Sequence, residues 1–182
     1  MIVLLGASAS GKSTLQKALV DTGKYKKVVT YTTRPPRKGE ENGVDYHFIT
    51  DDEFQSLKKD GFFIETAEYR GWHYGTSKES CTHEDKNYIA VLTPAGFRAL
   101  KRSEINVMSI YLKIDRRSLL TNIVKRGDDI DEAYRRNLSD VGQFDGLENE
   151  VDCVINNSLF HMDVNEIVQR VDAILEDDDE RI

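Results

Sequence analysis

The run Gly6-Ala7-Ser8-Ala9-Ser10-Gly11-Lys12-Ser13-Thr14 matches the pattern G-x-x-x-x-G-K-S/T, in which each fixed position has a physical task. The glycines let the backbone curl until successive N–H groups face one anion, and a helix starting at the loop adds positive potential there. The Lys12 ammonium can then offset β- and γ-phosphate charge while the Ser13 hydroxyl coordinates Mg2+. The motif requires a strand before it and a helix after it. Ile2 to Leu5 and Lys12 to Asp21 read as these two elements. The loop specifies a phosphate-bearing ligand and leaves the reaction open, because several chemistries share it.

A second constellation begins at Thr30-Tyr31-Thr32-Thr33-Arg34-Pro35-Pro36-Arg37-Lys38-Gly39-Glu40. Arg34 and Arg37, on a loop stiffened by two prolines, form a fork suited to a phosphate monoester. Downstream come Asn42 to Phe48 with Tyr46, then Phe63-Ile64-Glu65 and Tyr74-Gly75-Thr76. Tyrosine hydroxyls can complete a phosphate cage, and an ionised Glu65 can accept from guanine N1–H and from its exocyclic amine. The histidines, His47, His73, His83 and His161, lack ligand spacing and read as surface or packing residues. Cys81 and Cys153 form no Cys-x-x-Cys pair, which points to a reducing compartment without a disulfide framework.

These residues need a scaffold, and the chain supplies an α/β pattern. Short apolar strands are expected at Ile2 to Leu5, Lys27 to Tyr31, Asn87 to Leu92, Val107 to Ile114 and Asp152 to Asn156. They alternate with expected helices at Lys12 to Asp21, Pro94 to Arg102, Arg116 to Lys125, Asp131 to Phe144 and Asp163 to Glu176. Thr93-Pro94 reads as an N-cap followed by a first-turn proline. Between Thr33 and Ser77 the rhythm changes to strands at Asp45 to Ile49 and Phe62 to Tyr69, with a short helix at Thr50 to Lys59 opened by a Thr50/Glu53 capping box. Arg70-Gly71 reads as a turn. This segment is expected to be a small antiparallel insert.

At 182 residues, 39% hydrophobic and 31% charged, the chain has the size and composition of one globular domain with its own core. Its net charge of −7 argues against nonspecific wrapping of nucleic acid. Five acids between Glu176 and Glu180, against Arg181, carry more than half of that charge and read as a solvated end. The opening apolar run is too short for a leader or a membrane span, so the expected location is cytoplasmic, with no membrane partner.

On the P-loop, T-T-R-P-P-R-x-G-E, N-G-x-D-Y-x-F, F-I-E, H-Y-G-T and the Val154-Ile155-Asn156-Asn157 strand end, the chain resembles the guanylate kinase family over nearly its full length. The resemblance implies a P-loop parallel sheet flanked by helices, an inserted antiparallel nucleoside-monophosphate-binding subdomain and a helical lid. It implies a core of residues 1–32, 78–125 and 148–182, an insert of 33–77 and a lid of 126–147. ATP with Mg2+ would be the donor and GMP or dGMP the acceptor, with Gly6 to Thr14 and Asn156 on the ATP side. Arg34, Arg37, Tyr46 and Tyr74 would hold the GMP phosphate, while Thr30, Glu65, Gly75 and Thr76 would line the guanine side. Arg126, Arg135 and Arg136 would bring lid charge to the transferring phosphate beside Lys12.

The chain departs from the family pattern at two places. Family members end the third core strand in D-x-D, where this chain has Val91 and Thr93, and Asn137 stands where an arginine is expected after the lid. A neutral Thr93 facing the base and no acid at Val91 imply looser base choice and a higher Mg2+ requirement. Two alternatives stand beside a GMP kinase: a nucleoside monophosphate kinase with another base preference, and a catalytically silent module that binds phosphorylated peptides. The intact P-loop counts against the silent module. Oligomeric state is not legible in the sequence.

Overall fold

The computed structural model describes residues 1–37, 39–81, 88–103, 105–125 and 130–179. Two compact units divide the chain, one of Met1–Leu5 with Lys26–Ser109, the other of Gly6–Tyr25 with the chain from Ile110 onward.

In the first unit, β1 (Ile2–Leu5), β2 (Lys26–Lys27) and β7 (Tyr88–Val91) form parallel pairs with β7 in the middle, in the register Ile2↔Ile89 and Lys27↔Ile89. All four side chains of β1 are at most 2% exposed, which explains why it is a continuous apolar run rather than an alternating one. The second sheet of this unit holds β3 (Tyr31–Thr32), β4 (His47–Phe48), β5 (Phe63–Tyr69) and β6 (Trp72–Ser77), in the order β4-β3-β6-β5. β5 and β6 are antiparallel, joined by a two-residue turn in which Arg70 and Gly71 both have positive φ, 59° and 77°. β3 and β6 are also antiparallel, whereas β3 and β4 pair in parallel because a long connection returns the chain in its original direction.

The α2 helix (Asp51–Lys59) starts at the expected capping box, with the Glu53 N–H donating to Thr50 Oγ1 and the Thr50 N–H to Glu53 Oε2. Its Phe54 is fully buried and stacks on Phe63 of β5 at 4.7 Å between centroids, which fastens helix to sheet. The α3 helix (Pro94–Leu100) follows β7 and packs on β5.

The second unit contains α1 (Lys12–Asp21), most of β8 (Met108–Lys113), α4 (Arg116–Lys125), α5 (Ile130–Asp140), β9 (Cys153–Asn156) and α6 (Val164–Asp179). β8 and β9 are parallel, from Ile110↔Cys153 to Lys113↔Asn156. The α1 helix packs on α6, with Leu15, Leu19 and Val171 buried. Just beyond α1, Asp172 of α6 accepts from the Tyr25 hydroxyl at 2.5 Å and the Lys24 ammonium at 2.9 Å.

Three expected elements differ. The strand expected over Lys27 to Tyr31 splits into β2 and β3. Val28 still donates to Ile89, whereas the Thr30 carbonyl accepts from His47, so the chain changes sheets between them. The strand expected over Asp45 to Ile49 keeps only His47–Phe48, because the Glu41 carbonyl accepts from Val44 and Asp45 in a turn. The helix expected to reach Phe144 stops at Asp140, and Gly142 follows with φ 77°, a left-handed stop that glycine permits. Among the described residues, no helix is long and apolar enough to cross a membrane.

Candidate functional site

The phosphate loop lies in the second unit. Gly6 has φ 153°, and a Cβ there would stand 2.6 Å from Ser10 Oγ and 2.9 Å from the Leu112 carbonyl oxygen, so only glycine fits. Ser10 donates to Ala7 O at 3.1 Å across the tight turn, and Gly11, with φ 96°, is the N-cap of α1. Ala9 is held at φ 65°, and its carbonyl accepts from the Asn122 amide of α4 at 2.8 Å. The Lys12 ammonium donates to Gly6 O at 2.6 Å and Ala7 O at 2.8 Å, so it lies along the concave side of the loop. Ser13 and Thr14 are exposed in the first turn of α1. The Ser8 N–H donates to Asp140 Oδ2 at 2.7 Å, which puts an anionic oxygen on a loop amide.

Other residues expected on the ATP side are placed differently. Asn156 is exposed at the end of β9, and its Oδ1 accepts from the Ser158 N–H at 3.1 Å and hydroxyl at 2.9 Å, a turn-forming role. Arg135 is exposed on α5 and donates through Nε to Asp131 O at 3.4 Å. Arg126 lies outside the described residues, as does the side chain of Arg136.

The residues expected on the acceptor side lie in the first unit. Arg34 is 4% exposed, pairs with Glu40 Oε1 at 2.9 Å and lies over the Tyr46 ring at 5.4 Å. Glu40 Oε2 accepts the Arg37 N–H at 2.7 Å, so a single carboxylate spans the two positions of the arginine fork. Tyr46 and Tyr74 meet edge to face at 6.3 Å, and burial raises the Tyr46 phenol above its usual range. Arg34, Tyr46 and Tyr74 therefore form one cluster, with Arg37 at its exposed rim.

Glu65 of β5 and Thr76 of β6 face each other in register, and the Thr76 hydroxyl donates to Glu65 Oε1 at 2.5 Å. Glu65 is 5% exposed, and its Oε2 has no hydrogen-bond partner among the described residues. Burial, opposed by the Thr76 hydrogen bond, pushes the Glu65 carboxyl up to about 7. Thr30 is also buried, and a Cβ on Gly75 would stand 2.8 Å from the Phe63 ring. Thr93 Oγ1 accepts the Gly96 N–H at 3.1 Å, so its side chain is the N-cap of α3.

A family model described as guanylate kinase matches residues 1–178. The chain belongs to the guanylate kinase family. A guanylate kinase of Nitrosococcus oceani is 31% identical over 93% of this chain and 87% of its own length. One from Clostridium perfringens is 33% identical over 96% of this chain and 82% of its own. The crystal structure of guanylate kinase from Anaplasma phagocytophilum superposes with a TM-score of 0.70, at 24% identity, over 98% of this chain and 85% of that one. The likeness establishes the same α/β fold.

Set against the family pattern, the two departures have local structural counterparts. Val91 is half-buried at the end of β7, in register with Leu4. Asn137 is 8% exposed, and its Oδ1 accepts Arg116 Nε at 2.9 Å, which ties α5 to α4. Sequence reasoning missed Asn122 and Asp140. Each touches a loop residue from far along the chain, with separations of 113 and 132 residues, and neither belongs to a recognisable short motif.

Proposed function

We infer that this chain transfers the γ-phosphoryl group of ATP to an α-phosphate oxygen of GMP, giving GDP and ADP. The observation that carries the choice of acceptor is Glu65, a buried carboxylate with one oxygen fixed by Thr76 and the other unpartnered among the described residues. Guanine presents two adjacent donors, N1–H and the 2-amine, to such a carboxylate, whereas adenine presents an acceptor at N1. Thr30, Gly75 and Thr76 line the base side, and Thr93 caps the helix beside it. Arg34, Arg37, Tyr46 and Tyr74 hold the phosphate monoester. These groups address base and phosphate, so dGMP, which differs only in the sugar, serves as a second acceptor.

The transfer needs no covalent enzyme intermediate. A bond forms between a GMP phosphate oxygen and the γ-phosphorus, and the bond to the β–γ bridging oxygen breaks, with ADP leaving. The protein's part is alignment and charge neutralisation. Lys12 leaves its loop carbonyls for phosphate oxygens, the loop amide N–H groups donate to the same anion, and Arg126, Arg135 and Arg136 add positive charge from a lid at 126–147. The insert at 33–77 binds the acceptor, and residues 1–32, 78–125 and 148–182 form the core. Asn156 borders the ATP side.

Among the described residues, no three His, Cys, Asp or Glu side chains gather as a metal site. The Ser13 hydroxyl at the loop would be the protein's oxygen ligand for Mg2+, a hard cation that such an oxygen fits. When bound, Mg2+ would supply positive charge beside the phosphates. Free Cys81 and Cys153, together with ATP as co-substrate, favour a cytoplasmic location.

Titration with GMP, dGMP, AMP, UMP and dTMP tests this reading. GMP and dGMP bind at least about tenfold more tightly than the others. Equal affinity for AMP and GMP would remove the base-reading role of Glu65.

A further inference from the structure

Gly96 occupies the first turn of α3, where glycine is a poor helix former and no unusual backbone angle calls for it. The reason for its presence is space. A Cβ built on Gly96 would stand 3.0 Å from Glu65 Oε2 and 3.4 Å from Thr93 Oγ1. Neither neighbour is free to move aside. Glu65 is buried with Oε1 held by Thr76 at 2.5 Å, and Thr93 Oγ1 is engaged with the Gly96 N–H at 3.1 Å.

We propose that Gly96 is a positioning residue for base recognition: its missing side chain lets Glu65 Oε2 sit against the α3 backbone, aligned to accept from the second donor of a two-donor base. This rests on the reading of Glu65 given above. One carboxylate oxygen is oriented by Thr76 and the other by the absence of a methyl group. An alanine here displaces Oε2 by a few tenths of an ångström or strains the Thr76 bond. Charge-assisted hydrogen bonds lose strength with such misalignment. The loss falls mainly on a base that uses both oxygens, guanine, and less on hypoxanthine, which has N1–H but no 2-amine.

The experiment compares wild type and Gly96→Ala by calorimetric titration with GMP, IMP and a non-hydrolysable ATP analogue, alongside the thermal midpoint. The proposal predicts a thermal midpoint at or somewhat below that of wild type, because the strain at Glu65 offsets or exceeds the helix-forming gain of alanine. It also predicts GMP binding weakened about tenfold, IMP weakened at most about threefold, and ATP-analogue binding unchanged. A GMP-over-IMP ratio equal to that of wild type would overturn it. Should Gly96→Ala fail to fold, the same change is made with Glu65→Asp, whose shorter carboxylate withdraws from the new methyl group. Recovery of the fold supports the contact, and persistent unfolding overturns it. Absence of any GMP-over-IMP preference in wild type would instead overturn the Glu65 reading itself, so the two failures are distinguishable.

Discussion

The Thr76 hydroxyl donates to Glu65 Oε1 at 2.5 Å while Glu65 Oε2 lies buried without a hydrogen-bond partner among the described residues. Leaving a buried acceptor unsatisfied costs on the order of 1–3 kcal/mol, more when it is charged. Protonation relieves that cost, which is why the carboxyl is pushed up from 4.5 to about 7. A two-donor base relieves it differently, by stabilising the carboxylate. On the proposed reading, guanine is the base that satisfies this carboxylate.

A pH dependence with a definite sign follows. A carboxyl raised in the folded protein contributes stability that is fully present below its unfolded value of 4.5 and is lost as pH rises through about 7. GMP prefers the ionised form, so its affinity rises over the same window, and binding near pH 7 releases about half a proton. The Cys81 thiol, itself raised by burial, lies within electrostatic range of Glu65 and remains protonated there. Calorimetry in two buffers of different ionisation heat measures the released proton. Glu65→Gln should abolish both the release and the pH slope.

The arginine fork separates binding from stability. Arg37 is exposed and Arg34 is 4% exposed in an ion pair with Glu40. Arg37→Ala should weaken GMP by about 2 kcal/mol with little change in thermal midpoint, as expected for a lost charge-assisted bond. Arg34→Ala should weaken GMP similarly and also lower the midpoint, because it strands Glu40. Tyr46→Phe and Tyr74→Phe each remove one neutral donor, about 1 kcal/mol. GMP titration and thermal melts of the four variants check the ranking.

The Lys12 ammonium donates to two loop carbonyl oxygens, at 2.6 Å and 2.8 Å. Lys12→Ala should therefore reduce phosphoryl transfer by about 100-fold or more while shifting stability by less than about 1 kcal/mol. Steady-state kinetics beside a thermal melt would show it. Near-normal turnover would remove the donor-site assignment.

Thr93 and Val91 test the departures separately. Thr93→Val removes the α3 cap and should cost about 1 kcal/mol of stability, whereas Thr93→Asp keeps a capping oxygen and adds an acceptor that sharpens GMP over AMP. Val91→Asp should lower the Mg2+ concentration giving half-maximal rate. Denaturant melts and Mg2+ titrations of the rate distinguish the two positions. An unchanged Mg2+ profile in Val91→Asp would separate that position from metal organisation.

Much of this architecture was legible because its determinants are local. Gly6 to Thr14 lie together in sequence, the Thr50/Glu53 box declares its helix, and the all-buried Ile2–Leu5 run declares its strand. What was not legible depends on distant partners. The break between β2 and β3 arises because Thr30 bonds to His47 rather than continuing along β7. The contacts of Asn122 and Asp140 with the loop, and the space at Gly96 that seats Glu65 Oε2, exist only once separate segments meet. Asn137, read in sequence as a missing arginine, is in the fold a buried acceptor for Arg116.

In the proposed reaction, ATP-dependent phosphorylation of GMP, base choice is made at Glu65. Its most direct test is phosphoryl transfer from γ-labelled ATP, with wild type and Glu65→Gln, to GMP, dGMP, AMP, UMP and dTMP at saturating Mg2+. Labelled GDP and dGDP are expected as the dominant wild-type products, with the preference for guanine over adenine falling about tenfold or more in Glu65→Gln. Wild-type transfer to AMP or a pyrimidine monophosphate in preference to GMP, or no transfer to any acceptor, would contradict it.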